Sequence, residues 1–181
     1  MVTAAFGWCR ANIGWSRSIG YAAPCPPTGE TGRPSATSPT FAGRRQSEVT
    51  GFLDTNILIY AIDHGSLHRQ TALNLMVLAN RIAVQSMNEY AHVCYRKLRM
   101  EWPDVQLGLS ASLGLCAELP NALTLHTHEL GLWAAQRYQL AIHGALLIAA
   151  ALSVNCTTFW SEDLHHGLII DGRLTIRNPF D

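Results

Sequence analysis

One short stretch of this chain combines a strand pattern, a single carboxylate and a helix start. It reads Phe52-Leu53-Asp54-Thr55-Asn56-Ile57-Leu58-Ile59-Tyr60, so an apolar pair leads into polar residues and then into a second apolar run. The pattern predicts a buried strand that ends at Asp54 and a helix that begins beyond it. In an open α/β sheet, ligands bind past the carboxyl ends of the strands, which is where Asp54 would lie. The alternative is that Asp54 only caps the helix.

Beyond residue 50 the chain alternates between strand and helix patterns. This alternation predicts an α/β fold in which helices cover both faces of a mainly parallel sheet. Ser86 and Thr127 are expected to begin helices, and Pro103 suits the first turn of another. The predicted strands are Phe52-Leu53, Arg81–Gln85, Asn121–Leu125, Thr157–Trp160 and Leu174–Arg177, and the predicted helices run over Leu67–Leu78, Ser86–Arg99, Asp104–Cys116, Thr127–Tyr138 and Ile142–Ser153.

Residues 1–50 differ in composition from the rest of the chain. They hold five of the eight prolines among Gly, Ser and Thr and show no helical or strand period. We therefore expect a disordered N-terminal extension, followed by one domain at residues 51–181. Five Arg against two Glu give the extension a net charge of +3, which leaves open a basic arm that contacts RNA. A further hypothesis places the natural start at Val49, and the intact mass of the protein from its natural locus would test it.

The cysteines and the apolar segments bear on the compartment. Five Cys include no C-x-x-C pair, which favours reduced thiols in a cytoplasmic protein over a disulfide framework or a zinc site. The longest apolar stretch, Leu140–Val154, contains His143 and is too short to span a bilayer, so it predicts a buried helix. We expect no membrane association.

Three acidic residues each follow the end of a predicted strand: Asp54, Glu89 and Asp163. If those strands are parallel neighbours, the carboxylates converge on one edge of the sheet, and a cation is the natural reason to collect groups that repel. Oxygen ligands suit Mg²⁺ or Mn²⁺, which can polarise a phosphodiester and activate water for attack. The structural alternatives are a capping box that joins Ser86 to Glu89 and a turn role for Asp163.

Four segments together resemble, in order and spacing, the motifs of PIN-domain ribonucleases, in particular VapC-like toxins of bacterial toxin–antitoxin pairs. The resemblance covers roughly residues 51–178. It implies a PIN-like three-layer fold, Mg²⁺- or Mn²⁺-dependent endonucleolytic cleavage of RNA, neutralisation by a cognate antitoxin, and a homodimer. The four segments are residues 52–60, Ser86-Met87-Asn88-Glu89-Tyr90, Ala145–Leu152 and Trp160-Ser161-Glu162-Asp163-Leu164-His165-His166-Gly167.

The resemblance implies roles for five side chains. Asp54, Glu89 and Asp163 correspond to catalytic carboxylates that hold the cation. Asn56 and Ser161 are expected to support them by orienting ligands or water through hydrogen bonds. Base readout depends on loops and surfaces that the sequence does not place, so the RNA target and the identity of the antitoxin stay open.

The third motif departs from the family pattern at Gly144, where the family has an Asp directly before the Ala-Leu run. Changes around a metal typically cost about 10–100-fold in affinity or activity, and a missing ligand should cost at least that. His143 is adjacent, and imidazole can bind Mn²⁺, but neighbouring helix residues point about 100° apart, so we expect a surface or core-edge residue rather than a replacement ligand. Glu162 is expected to be a solvated turn residue. A basic cluster at residues 96–99 either stabilises a helix end or contacts phosphate.

Three function classes remain open. An active ribonuclease toxin is favoured by the three intact acids. A catalytically inactive PIN module that retains antitoxin or RNA binding is favoured by Gly144. An unrelated α/β enzyme with Asp54 as nucleophile would want a second acid two residues later, where Asn56 stands instead. We expect the first class, with activity weakened at Gly144.

Overall fold

A computed structural model describes residues 51–78, 81–116 and 118–181. These residues belong to one compact unit. The expected disorder, basic arm and alternative start within residues 1–50 lie outside the described residues.

The centre of the fold is a four-stranded sheet with one antiparallel edge. Its strands are β1 (Gly51–Leu53), β2 (Thr158–Trp160), β3 (Ile169–Ile170) and β4 (Leu174–Arg177), in the order β1-β2-β4-β3. β1 and β4 both run parallel to β2, and β3 runs antiparallel to β4. Leu53 is paired with Trp160, so β1 and β2 end at the same level. Asp54 and Ser161 are therefore the first residues past neighbouring strand ends.

Two of the predicted strands are wrong as strands. Arg81–Gln85 contributes two isolated parallel bridges, from Arg81 to Phe52 and from Ala83 to Asn121, and Asn121–Leu125 contributes only the second of these. Pairing does not extend further because helices begin within both segments, at Val84 and at Leu125. The backbone N–H of Val84, the first residue of the helix that follows, donates to Asn121 O at 2.9 Å. β3, with only two residues, was too short for the sequence pattern to indicate.

Six α-helices surround the sheet in the described part of the chain. Three lie before residue 93, and the third of these continues into a π-helical turn at Val93–Lys97. The other three follow, and Pro103 lies in the first turn of α4 as predicted. The helices are α1 (Thr55–Ile62), α2 (Arg69–Val77), α3 (Val84–His92), α4 (Trp102–Leu115), α5 (Leu125–Tyr138) and α6 (Ile142–Ser153).

Two predicted helix starts need correction. α3 is capped at Ala83 rather than begun by Ser86, whose Oγ accepts a hydrogen bond from Ala83 N at 3.3 Å. Glu89 therefore takes no part in a capping box at this helix start. α5 is capped by Thr124, which accepts from Thr127 N at 3.1 Å. Ser86 thus lies in the first turn of α3 rather than at its start, and the hydroxyl that caps α5 belongs to Thr124, three residues before Thr127.

The helices form two layers around the sheet. On one face, α6 packs with α5 against Phe52, Phe159 and Ile176, and Phe52 stacks on Phe159 with ring centroids 5.9 Å apart. On the other face, Leu53 packs with α1, α2, α3 and α4. Alternate residues of β1 thus enter opposite cores, as period-two side-chain direction requires. The structure is the predicted three-layer α/β fold.

The apolar stretch at residues 140–154 forms the buried helix that its composition predicted. Every residue from Ala145 to Leu152 in α6 is buried. No helix within the described ranges is long and apolar enough to cross a membrane.

Candidate active site

Asp54 is held in one orientation between β1 and α1. It is the N-cap of α1, and its Oδ1 accepts a hydrogen bond from Thr55 N at 2.6 Å. Its Oδ2 accepts from Ser161 Oγ at 2.5 Å. The side chain is only 9% exposed. Asp54 therefore lies just past the end of β1 and also caps α1, so both predicted positions apply to it.

Ser161 connects Asp54 to the loop that carries Asp163. Its side chain is fully buried just past β2, where Ser161 N donates to Arg177 O at 3.0 Å. Its Oγ accepts from the backbone N–H groups of Asp163 and Leu164, both at 3.2 Å. Since a hydroxyl has two acceptor sites and one donor, these bonds leave its proton for Asp54 alone. Ser161 thus fixes the Asp54 carboxylate and the start of the Asp163 loop relative to each other.

Glu89 reaches the same region from α3. Its Oε2 accepts from Thr55 Oγ1 at 2.8 Å, and its Oε1 accepts from Gln85 Nε2 at 2.9 Å. Thr55 directly follows Asp54, so the first turn of α1 joins the two carboxylates. Thr55 and Gln85 were not among the predicted site residues. The contact of Thr55 with Glu89 spans 34 residues and leaves no local pattern, whereas Gln85 lies four residues before Glu89 on the same helix, a spacing that could have indicated it.

The charges of the other two predicted carboxylates act on Asp54. Burial raises the pKa of Asp54 from 3.8 to about 6; the bonds from Ser161 and Thr55 N lower it, and the charges of Asp163 and Glu89 raise it further. Burial also raises the pKa of Asp163, and Glu162 adds to the effect. Asp163 and Glu89 thus both lie near enough to Asp54 to raise its pKa, and a shared catalytic role for the three carboxylates stays a prediction.

Two further residues moderate the charge of Asp163. The Asn56 amide and the ammonium group of Lys97 each lower the pKa of Asp163, although no hydrogen bond of ordinary geometry joins Asn56 to the carboxyl. Within the part of the chain that the structure describes, Asn56 Nδ2 and Oδ1 are buried without a hydrogen-bond partner. Asn56 is thus placed to orient a polar group beside Asp163, with which its amide already interacts.

The described side chains at this edge of the sheet offer oxygen atoms that suit a hard divalent cation, but they do not lie close enough together to enclose one. Carboxylate and amide oxygens are the ligands of Mg²⁺ and Mn²⁺, and the residues that would hold the ion are Asp54, Asp163 and Glu89. Among residues 51–78, 81–116 and 118–181, however, no three His, Cys, Asp or Glu side chains form a group that could hold a metal ion. Asp163 and Glu89 therefore influence the pKa of Asp54, but these described carboxylates do not form a complete set of metal ligands.

Gly144, where the resemblance predicts an acidic residue, and the nearby Glu162 and His143 have three different surroundings. Gly144 lies in the first turn of α6, and a Cβ added there would meet only Leu164 Cδ2, at 3.6 Å. Glu162 accepts a hydrogen bond from the hydroxyl of Tyr60, so it is not the freely solvated turn residue we expected. His143, with its side chain 70% exposed, lies with Nδ1 3.6 Å from Glu89 Oε1. His143 is at the surface as predicted, yet it borders the site.

The basic cluster lies on and just after the π-helical turn that continues α3. Arg96, Lys97 and Arg99 are all exposed there, and Arg99 has a φ of +57°. Lys97 is the member whose charge reaches Asp163. The helix-end interpretation and the phosphate interpretation therefore both remain compatible with the position of this cluster.

Comparison with solved structures adds a match to the fold. One chain of the crystal structure of VapBC2 from Rickettsia felis, bound to a DNA fragment from their promoter, matches with a TM-score of 0.53. The identity is 18%, and the match covers 71% of this chain and 97% of that chain. The present chain therefore shares its α/β fold with that chain of the VapBC2 structure. No protein-family model matches the sequence, and no curated protein does.

Proposed function

We propose that this chain is a metal-dependent endoribonuclease, the toxin of a toxin–antitoxin pair. The observation that carries the proposal is Asp54. It is a buried carboxylate, held by two hydrogen bonds at the end of a central strand, with Asp163 and Glu89 close enough to raise its pKa. Protein folding alone gives no reason to gather acidic groups that destabilise one another, whereas a divalent cation does.

Each residue of the site has a separate role in the proposed hydrolysis. A cation bound here would polarise the phosphodiester and activate the attacking water. Ser161 keeps Asp54 in one orientation, and Thr55 and Gln85 do the same for Glu89. Asn56, buried beside Asp163 with unused hydrogen-bonding groups, would orient water or phosphate. Pre-positioned groups of this kind lower the barrier because little reorganisation is left for the reaction itself.

The proposed partners follow from the fold and from the family resemblance. The Rickettsia structure is that of VapBC2 bound to a promoter fragment. For the present chain we propose an antitoxin protein, an RNA substrate, a second copy of the chain in a homodimer, and a cytoplasmic location. Several large apolar side chains are exposed and could take part in such contacts, among them Leu67, Leu119 and Leu125.

A second candidate function is a PIN module that binds antitoxin or RNA without cleaving. Two observations favour it. Gly144 supplies no carboxylate to a space in which a side chain would fit. The described carboxylates also stop short of a group that could hold a metal ion. On this alternative the scaffold is intact and only the last ligand is missing.

One comparison of four proteins tests both candidates. The full chain, Asp54→Asn, Gly144→Asp and Gly144→Ala are incubated with total cellular RNA and Mn²⁺ or Mg²⁺, with and without chelator. The proposal predicts chelator-sensitive cleavage by the unmodified chain and by Gly144→Ala, at least about tenfold faster cleavage by Gly144→Asp, and none by Asp54→Asn. Circular dichroism establishes that each variant is folded.

Two other outcomes would change the conclusion. Cleavage only by Gly144→Asp would support the inactive binding module, because the scaffold would then need its missing acid. If every variant is folded and none cleaves, the nuclease proposal is wrong. Unchanged cleavage by Asp54→Asn would remove the mechanism even if cleavage itself were found.

A further inference from the structure

Three polar side chains from α3 and α6 meet at the rim of the candidate site. Gln85 Nε2 lies 2.9 Å from Glu89 Oε1 and 3.3 Å from His143 Nδ1. The distance from His143 Nδ1 to Glu89 Oε1 is 3.6 Å. Gln85 is 8% exposed, whereas His143 borders solvent. The three atoms thus form a compact triangle with a buried floor and an open side.

The size of this triangle is that of a ligand set around one metal ion. Two ligand atoms that each lie about 2.1 Å from an ion, at angles of 90° to 120°, are about 3.0 to 3.6 Å apart. The three separations here, 2.9, 3.3 and 3.6 Å, match that range. A set of side chains assembled only for hydrogen bonding has no need for all three pairs to be this close.

Gln85 can present either end of its amide to the ion. A half-turn of the terminal torsion exchanges nitrogen for oxygen at nearly the same position. This exchange places Gln85 Oε1 about where Nε2 now lies, so the triangle becomes two oxygens and one imidazole nitrogen. In the absence of an ion, the present orientation lets Nε2 donate to Glu89 and to His143. The triangle is therefore stable with and without an occupant.

The triangle lies at the end of α6 that carries the glycine of the third motif. The first turn of α6 contains no acidic residue, and Gly144 supplies no side chain. His143 is the residue of that turn that comes within 4 Å of Glu89. The helix end that lacks the expected carboxylate thus brings a different metal-binding group to Glu89, one residue earlier in the chain.

We propose that Gln85, Glu89 and His143 bind a first-row transition-metal ion such as Zn²⁺ or Mn²⁺. Imidazole suits these ions, whereas Mg²⁺ prefers oxygen ligands alone. Water completes the coordination on the solvent side, from which the ion also reaches the site. The site shares Glu89 with the proposed nuclease and rests on that function only to this extent, because ion binding here requires no RNA cleavage.

A titration with the metal alone tests the site. Zn²⁺ is titrated by calorimetry into the full chain, His143→Gln and the control His128→Gln, which removes an exposed histidine from α5. The proposal predicts that His143→Gln weakens the tightest binding by at least about tenfold, as loss of a metal's protein partner does, and that His128→Gln leaves it unchanged. Equal affinity in the full chain and His143→Gln would overturn the proposal.

A spectroscopic experiment separates this site from the nuclease. Co²⁺, a paramagnetic substitute for Zn²⁺, should give the ring protons of His143 the large contact shifts of a directly bound ligand, which exceed the through-space shifts from an ion bound elsewhere; these signals are assigned by their loss in His143→Gln. Asp163→Asn should abolish RNA cleavage and leave these Co²⁺ shifts in place. If Co²⁺ shifts His143 in a chain that cleaves no RNA, the ion site stands and the proposed function fails. If Co²⁺ leaves the His143 signals unshifted, the ion site is wrong whatever the cleavage result.

Discussion

Asp54 sets the pH dependence of stability at the scale of one residue. Burial raises its pKa from 3.8 to about 6, so between these values the folded protein keeps a proton that the unfolded chain has lost. The stabilisation from this proton is complete below about pH 4 and is lost as the pH rises through about 6. Since one pKa unit corresponds to about 1.4 kcal/mol, ionised Asp54 costs the metal-free fold about 3 kcal/mol.

The difference between the wild type and Asp54→Asn isolates this effect. In chelator, the free energy of unfolding of the wild type should fall by about 3 kcal/mol relative to the variant between pH 4 and pH 7. Urea unfolding at several pH values measures it, and Glu101→Gln, which removes an exposed carboxylate before α4, is the control. A difference between wild type and Asp54→Asn that stays constant with pH would contradict the prediction.

Gly144 is a second single-residue case, in which stability and activity separate. A methyl group there meets only Leu164 at 3.6 Å, an ordinary contact, and glycine inside a helix costs about 0.5–1 kcal/mol relative to alanine. Gly144→Ala should therefore raise the free energy of unfolding by roughly that amount and leave RNA cleavage unchanged. A loss of stability in urea unfolding would show that the first turn of α6 is packed more tightly than this geometry implies.

The packing of α3 against α4 positions Glu89 at the scale of elements. Tyr90, the next residue, is fully buried between these helices. A Cβ added at Gly108 of α4 would lie 2.0 Å from Tyr90 Oη, whereas one added at Gly114 of the same helix would meet nothing within 4 Å. Gly108→Ala should therefore destabilise by about 1–3 kcal/mol, the usual cost of overpacking. Gly114→Ala should be neutral or stabilising.

Urea unfolding of the two alanine variants compares equal changes on one helix. Adding Tyr90→Phe to Gly108→Ala removes the atom that collides and should recover part of the loss. No recovery in this double variant would mean that the close approach of α3 and α4 involves more than the Tyr90 hydroxyl. A loss of RNA cleavage in Gly108→Ala alone would further indicate that the packing of α3 against α4 determines the position of Glu89.

Sequence reasoning was reliable where one pattern fills a whole element. Leu174–Arg177 and Ile142–Ser153 have the predicted bounds, since each pattern fills its whole element. The prediction of a strand at Arg81–Gln85 was wrong because the sequence pattern of this segment resembles that of a strand. Only the pairing shows that its bridges are isolated ones. The strand-end acids were found through local motifs. The contact of His143 with Glu89 joins α3 to α6, and nothing local records it.

At the scale of the whole molecule, electrostatics limits how RNA could bind. Residues 51–181 carry eight Lys and Arg against eleven Asp and Glu, a net charge of −3. A polyanion therefore needs a local positive patch, because the general field of this domain repels it. Three of those eight basic residues lie at positions 96–99, on the turn from which Lys97 reaches Asp163. This patch borders the site at which cleavage is proposed.

The dependence of RNA affinity on salt tests that patch. For single strands, each phosphate neutralised contributes about 0.7 to the slope of log affinity against log salt. Lys97→Gln should weaken the binding of a short single-stranded RNA in chelator and reduce the slope by about that amount. Arg137→Gln removes the same charge from α5, where the guanidinium lies over Tyr138, and should leave the slope unchanged. Equal slopes for both variants would assign the basic turn to stabilising the helix end, and RNA would then have to enter elsewhere.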